Sequence, residues 1–141
     1  MATLATLTVA MSNPYGDCKA GDNKITLTWL STDLGVVSKG ICAEFNSDRY
    51  WPKVQPAKLM GRIVKVDTNP GGTAPTDNYD ITLLNSDGID VASGNLANRD
   101  TANSEQWIPV DPPYIDSEIT LTIANAGDAK VGVITIWMKD V

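Results

Sequence analysis

The sequence predicts an all-β domain, an antiparallel β-sandwich or jelly-roll-like barrel of about eight short strands. Three observations predict it. Apolar and polar residues alternate with a period of two in several runs: Ile25, Leu27 and Trp29 against Thr26 and Thr28, Tyr79, Ile81 and Leu83 against Asp80 and Thr82, and Ile119, Leu121 and Ile123 against Thr120 and Thr122. Clusters of Gly, Pro, Asn, Asp and Ser separate these runs. No run of helical periodicity is long enough to form a helix. At 141 residues the chain fits one domain, which can bury roughly two thirds of the surface its unfolded form exposes.

Taken in order, residues 3–11 form a first strand with Leu7, Val9 and Met11 on one face. A turn cluster follows, SNPYGD, and residues 24–31 form the second strand, ended by Thr32-Asp-Leu-Gly35. Residues 36–45 are apolar but poorly periodic, so the third strand is interrupted near Gly40. Residues 46–57, NSDRYWPKVQPA, hold two prolines around Tyr50 and Trp51. Proline fixes φ and removes a donor, so this is a loop, and its apolar tip either folds back over one end of the sandwich or inserts into a partner. In residues 58–68 the apolar phase shifts from Leu59, Gly61 and Ile63 to Val64 and Val66. A bulge near Ile63-Val64 keeps these residues inward and turns Met60, Arg62 and Lys65 outward, a basic face suited to a neighbouring strand with acids such as Asp80.

A hairpin then organises the second half. Residues 79–84 form a strand, Asn85-Ser-Asp-Gly88 a tight turn, and Ile89 and Val91 a returning strand. Residues 92–104 are a long polar surface loop containing Arg99. Residues 105–110 are short and extended, confined to an edge by Pro109, Pro112 and Pro113. Residues 118–124 alternate cleanly. Residues 131–138 carry apolar side chains on both faces, Val131, Val133 and Trp137 against Ile134, Ile136 and Met138, and so belong in the middle of a sheet, with Trp137 buried like Trp29. The whole chain, 1–141, reads as one domain.

The formal charge of −6 disfavours a nucleic-acid binder, whose footprint is a basic stripe. The charge is uneven: residues 1–66 hold eight Lys/Arg and five Asp/Glu, residues 67–141 three and twelve. Halves on different faces would make a polar molecule able to associate with its copies, although acids that merely solvate loops account for the same imbalance. No apolar run approaches the roughly 20 residues of a membrane span, and the N-terminus lacks the basic region of a signal peptide. Cytoplasmic synthesis is therefore expected, with Cys18 and Cys42 reduced there and a disulfide between them open only after release from a cell.

The chain has no histidine, which removes the usual Ser-His-Asp and Cys-His nucleophilic sets. No motif singles out a carboxylate pair for glycoside hydrolysis. Asn85-Ser-Asp87-Gly88-Ile-Asp90 superficially resembles part of a calcium loop, but lacks its spacing and terminal Glu; a hairpin turn needs the same Asx residues for its own backbone. No metal, cofactor or catalytic residue is assigned. Tyr50, Trp51 and Trp107 are candidate partner contacts, or alternatively sugar platforms in a carbohydrate-binding module.

The segment from Gly61 to Val110 resembles small structural proteins of tailed bacteriophages. Gly61-Arg-Ile-Val-Lys-Val66, Ala74-Pro-Thr-Asp-Asn-Tyr-Asp-Ile81, Asp87-Gly-Ile-Asp-Val91 and Ala97-Asn-Arg-Asp-Thr-Ala-Asn-Ser-Glu-Gln106 carry the resemblance. The last two strands look like the closing hairpin of the same family, and the first 57 residues match less well. The resemblance implies a non-enzymatic virion component assembled in the host cytoplasm. A capsid decoration (cement) protein fits best, with a head-tail connector, tail or fibre component as the alternative. The implied partners are the major capsid protein or other virion subunits, and a homotrimer would suit a site where three subunits meet. The expected contacts are Tyr50, Trp51, Lys58, Arg62, Lys65, Arg99 and Trp107, the basic ones facing an acidic shell.

Overall fold

A computed structural model describes residues 4–11, 23–41 and 59–139. Among them are nine strands: β1 (Thr6–Met11), β2 (Asn23–Leu30), β3 (Val37–Gly40), β4 (Leu59–Pro70), β5 (Asp80–Leu84), β6 (Glu105–Trp107), β7 (Tyr114–Ser117), β8 (Thr120–Ala124) and β9 (Val131–Lys139). They form two antiparallel sheets. The larger has the order β1-β2-β9-β4-β6, with β7 also on β4, and the smaller has the order β3-β8-β5. The two sheets stay separate and share one core, so the architecture is sandwich-like and not a closed barrel.

The alternating runs supply that core. On the inner face of the large sheet Ile25 lies beside Ile136, and Leu27 between Val9 and Ile134. Facing them from the small sheet are Ile81, Leu83, Leu121 and Ile123, all fully buried. Burial of each such side chain contributes roughly 1.5–3 kcal/mol. Trp29 needs room for its ring, and Gly132 directly across the ladder provides it. A Cβ at Gly132 would stand 2.6 Å from Trp29 Cε2. The Trp29 ring also meets Tyr79 across the core, with centroids 5.7 Å apart.

The bulge in β4 lies where the apolar phase shifts. The β4–β9 register slips between Ile63 and Lys65, leaving Val64 as the extra residue. Ile63 and Val66 are buried while Arg62 is exposed; Val64 is only half-buried, against the expectation that it joins the core. The predicted neighbour differs as well. Asp80 lies on β5 in the other sheet, and β4 is flanked by β9, β6 and β7. Because β9 lies between β2 and β4, strands from the two halves of the chain interleave instead of segregating to opposite faces.

The hairpin after β5 is only half formed. The turn is as expected: Gly88 has φ 77°, and Asn85 Oδ1 accepts hydrogen bonds from the backbone N–H groups of Asp87 and Ile89. The returning strand shrinks to one bridge, Leu84 with Asp90, and Ile89 is 60% exposed. Residues 90–99 instead close the edge of β5. Val91 N–H donates to Leu83 O, Ile81 N–H to Leu96 O, and Arg99 N–H to Tyr79 O. This loop is less superficial than its polarity suggests, because Ala92 and Leu96 are fully buried. The strand β7 has no counterpart in the sequence reading.

Candidate functional site

The outer face of the large sheet gathers side chains that share no motif in the sequence. In one cross-strand row, Trp137 of β9 lies between Lys24 of β2 and Lys65 of β4. Lys65 Nζ stands 4.3 Å from the centroid of the indole and Lys24 Nζ 5.5 Å, both within cation–π range. In the next row Arg62 is paired with Lys139 on one side and with Tyr114 on the other. The Arg62 guanidinium lies 5.8 Å from the Tyr114 ring and donates to Pro112 O at 3.0 Å. The bulge makes this strip possible, since a regular β4 would turn Lys65 to the opposite face from Arg62.

The Lys and Arg side chains among the described residues are Lys24, Lys39, Arg62, Lys65, Arg99, Lys130 and Lys139, and four of the seven fall on this strip. Two acids share the face. Asp67 meets Lys65 at 3.7 Å, and Asp116 lies one position beyond Arg62's row on β7. Like charges directly opposite in a ladder are destabilising, and Arg62 with Lys139 is such a pair. The outer face of the small sheet is quite different, with Ser38, Thr122 and Thr82 in one row and Asp80 beside Ala124 in another.

Trp137 is therefore not the core residue that its apolar neighbours in sequence predict. Both faces of β9 are apolar, and period alone cannot say which one meets the core. The register can: Ile134, Ile136 and Met138 are buried, and Trp137 points outward between two lysines. The matched rows of Lys24, Trp137 and Lys65 become visible only once β2, β9 and β4 are side by side.

Of the other predicted contacts, Tyr50, Trp51 and Lys58 lie outside the described residues, as do Cys18 and Cys42. Arg62 and Lys65 come together on the strip. Arg99 is elsewhere and turned inward. Its side chain is 13% exposed, it donates to Asn95 O and Ala97 O, and it meets Glu105 at 3.8 Å. It fastens the loop that closes β5. Beside it, Tyr79 has its phenol pushed up to about 12 by burial, with Arg99 pulling the other way. Trp107 is likewise no exposed platform. It pairs with Val66 on the inward face and packs partly against the core. Its remaining surface lines a cleft of about 320 Å³ with Ser93, Asn95, Val110 and Asp111.

The carboxylate of Asp90, weighed in the sequence against a calcium loop, is committed to backbone. Its oxygens accept from the N–H groups of Leu83, Ala92 and Gly94. Among the described residues no group of three or more acids or cysteines is placed to hold a metal ion, and no helix is long and apolar enough to cross a membrane. Compared with known protein families, with curated proteins and with solved structures, the chain has no match in any of the three.

Proposed function

We propose that this chain is a non-enzymatic binding protein of a tailed-phage particle, a decoration protein whose Lys24–Trp137–Lys65 face lies on an acidic surface of the assembled head. The strip is the observation that carries the reading. Arg62 opposite Lys139 works against the stability of the sheet, and two lysines flank one tryptophan in the adjacent row, in a chain whose net charge is −6. An acidic partner adds counter-charge beyond that of Asp67, and the exposed parts of Trp137 and Tyr114 supply apolar contact beside it. The phage resemblance gives the partner its identity, a shell subunit. Incubating purified protein with undecorated heads and counting copies per particle after sedimentation tests this; stoichiometric uptake is expected, and heads that sediment bare would overturn it.

A second reading is favoured by the cleft at Trp107. A half-buried indole with Ser93, Asn95 and Asp111 around it offers a pyranose an apolar wall and polar partners. A glycan array separates the two readings: specific binding of one sugar, abolished by Trp107→Ala, would favour a carbohydrate-binding module over decoration.

A further inference from the structure

We propose that two clefts beside the connection from β6 to β7 form one groove, and that this groove binds an extended basic segment of a partner polypeptide. One cleft, of about 320 Å³, is the one at Trp107. The other, of about 270 Å³, lies between Asn85-Ser-Asp87 and the strand β7. Val91 lines both, and the consecutive residues Pro113 and Tyr114 line one each, so the clefts adjoin. Their far ends are set by β4, where Val66 pairs with Trp107 and Leu59 with Ser117. At the rise of a β-strand that separation is roughly 23 Å, the span of about seven extended residues. A single sugar ring would fill only the first cleft.

The walls decide what fits. Ile108, Val110 and Tyr114 line the groove and are three of the seven exposed large hydrophobic side chains among the described residues. An exposed apolar stretch rimmed by polar groups marks a binding surface. The charged residues lining the two clefts are Asp87, Asp111 and Asp116, all exposed carboxylates. Arg62 belongs to the outer face and lines neither cleft, although its guanidinium meets the Tyr114 ring. The complementary ligand is therefore cationic, with apolar groups between its charges, and an extended peptide supplies both by alternation. Both walls are held in place before it arrives. Pro113 O accepts from Ile63 N–H, Pro112 O accepts from the Arg62 guanidinium, and Ser86 N–H donates to Ser117 Oγ at 2.9 Å, which ties one wall to the other. Little ordering of the groove then opposes binding. The inference does not rest on the phage reading, because the groove takes a cation where the Lys24–Trp137–Lys65 face takes an acid.

Fluorescence anisotropy on the full chain tests the groove, with a labelled peptide of that length alternating lysine and valine and a neutral counterpart alternating serine and valine. The lysine peptide is expected to bind, more weakly as salt is raised, and the serine peptide to stay free. Asp87→Lys/Asp111→Lys is expected to weaken the lysine peptide by about tenfold or more. Asp33→Lys/Asp128→Lys makes the same change in net charge at exposed positions outside the groove. That control should keep its affinity within about twofold, because screening limits the reach of surface charge. Circular dichroism checks that both variants are folded, and Asp87→Asn/Asp111→Asn carries the same expectation, with a smaller loss, should the first fail to fold. A wild type that ignores the lysine peptide or binds both peptides alike, or groove and control variants that weaken alike, would overturn the proposal.

Discussion

Gly132 and Trp29 show how one residue sets the terms for its neighbour. The ring occupies the space a side chain at 132 would need, so Gly132→Ala forces an overpacked core and is expected to cost about 1–3 kcal/mol. Urea unfolding measures this, and an unchanged midpoint would contradict the packing described. Tyr79 makes a prediction in pH. Its phenol, ordinarily near 10, is held up to about 12 in the native state, so the folded chain binds that proton more tightly than the unfolded one. Stability on this account is constant below pH 10 and falls as pH rises from there toward 12. Ultraviolet titration should find one tyrosine ionising well after the ordinary range while the chain stays folded. Ionisation of Tyr79 near 10 in the folded chain would contradict its burial. Trp29 and Tyr79 were legible as core residues because each lies in a run with one apolar face. Trp137 was not, because its strand has two.

At the scale of elements, the period of two located β2, β5, β8 and β9, and the phase shift in β4 located its bulge. A residue that breaks the alternation cannot be buried with the others unless the backbone absorbs it, and Val64 is where it does so. Deleting Val64 removes the unpaired residue and leaves Ile63, Lys65 and Val66 opposite Met138, Trp137 and Ile136 in regular alternation, so the variant is expected to keep native near-ultraviolet dichroism; loss of the fold would contradict the placing of the bulge at Val64. The segment after β5 was misjudged for a physical reason. A polar composition usually marks a surface loop, but here Asp90 satisfies backbone N–H groups that a partner strand would otherwise take, freeing residues 91–99 to fold over the edge and bury Leu96. Asp90→Ala is expected to destabilise by about 1–3 kcal/mol, as measured by thermal or urea unfolding, whereas a shift of a few tenths would mean that the loop holds without it. The strand β7 left no signal because it is four residues long, follows two prolines and presents only Ile115 to the core.

At the scale of the molecule, the chain is a two-sheet sandwich whose large outer face is basic and aromatic although its overall charge is acidic. Half of that strip was legible, since the bulge alone turns Arg62 and Lys65 the same way. Lys24, Trp137 and Lys139 joined them only through the strand order, which places the last strand between the second and the fourth. Charge reversal tests the proposed binding of this face to an acidic surface of the phage head. Copies bound per undecorated head should be measured at low ionic strength for wild type and for Arg62→Glu/Lys65→Glu, with thermal unfolding confirming that both are folded. Wild-type protein is expected to reach stoichiometric occupancy that weakens as salt is raised, and the folded variant to leave heads bare. Equal occupancy by the two proteins would contradict it.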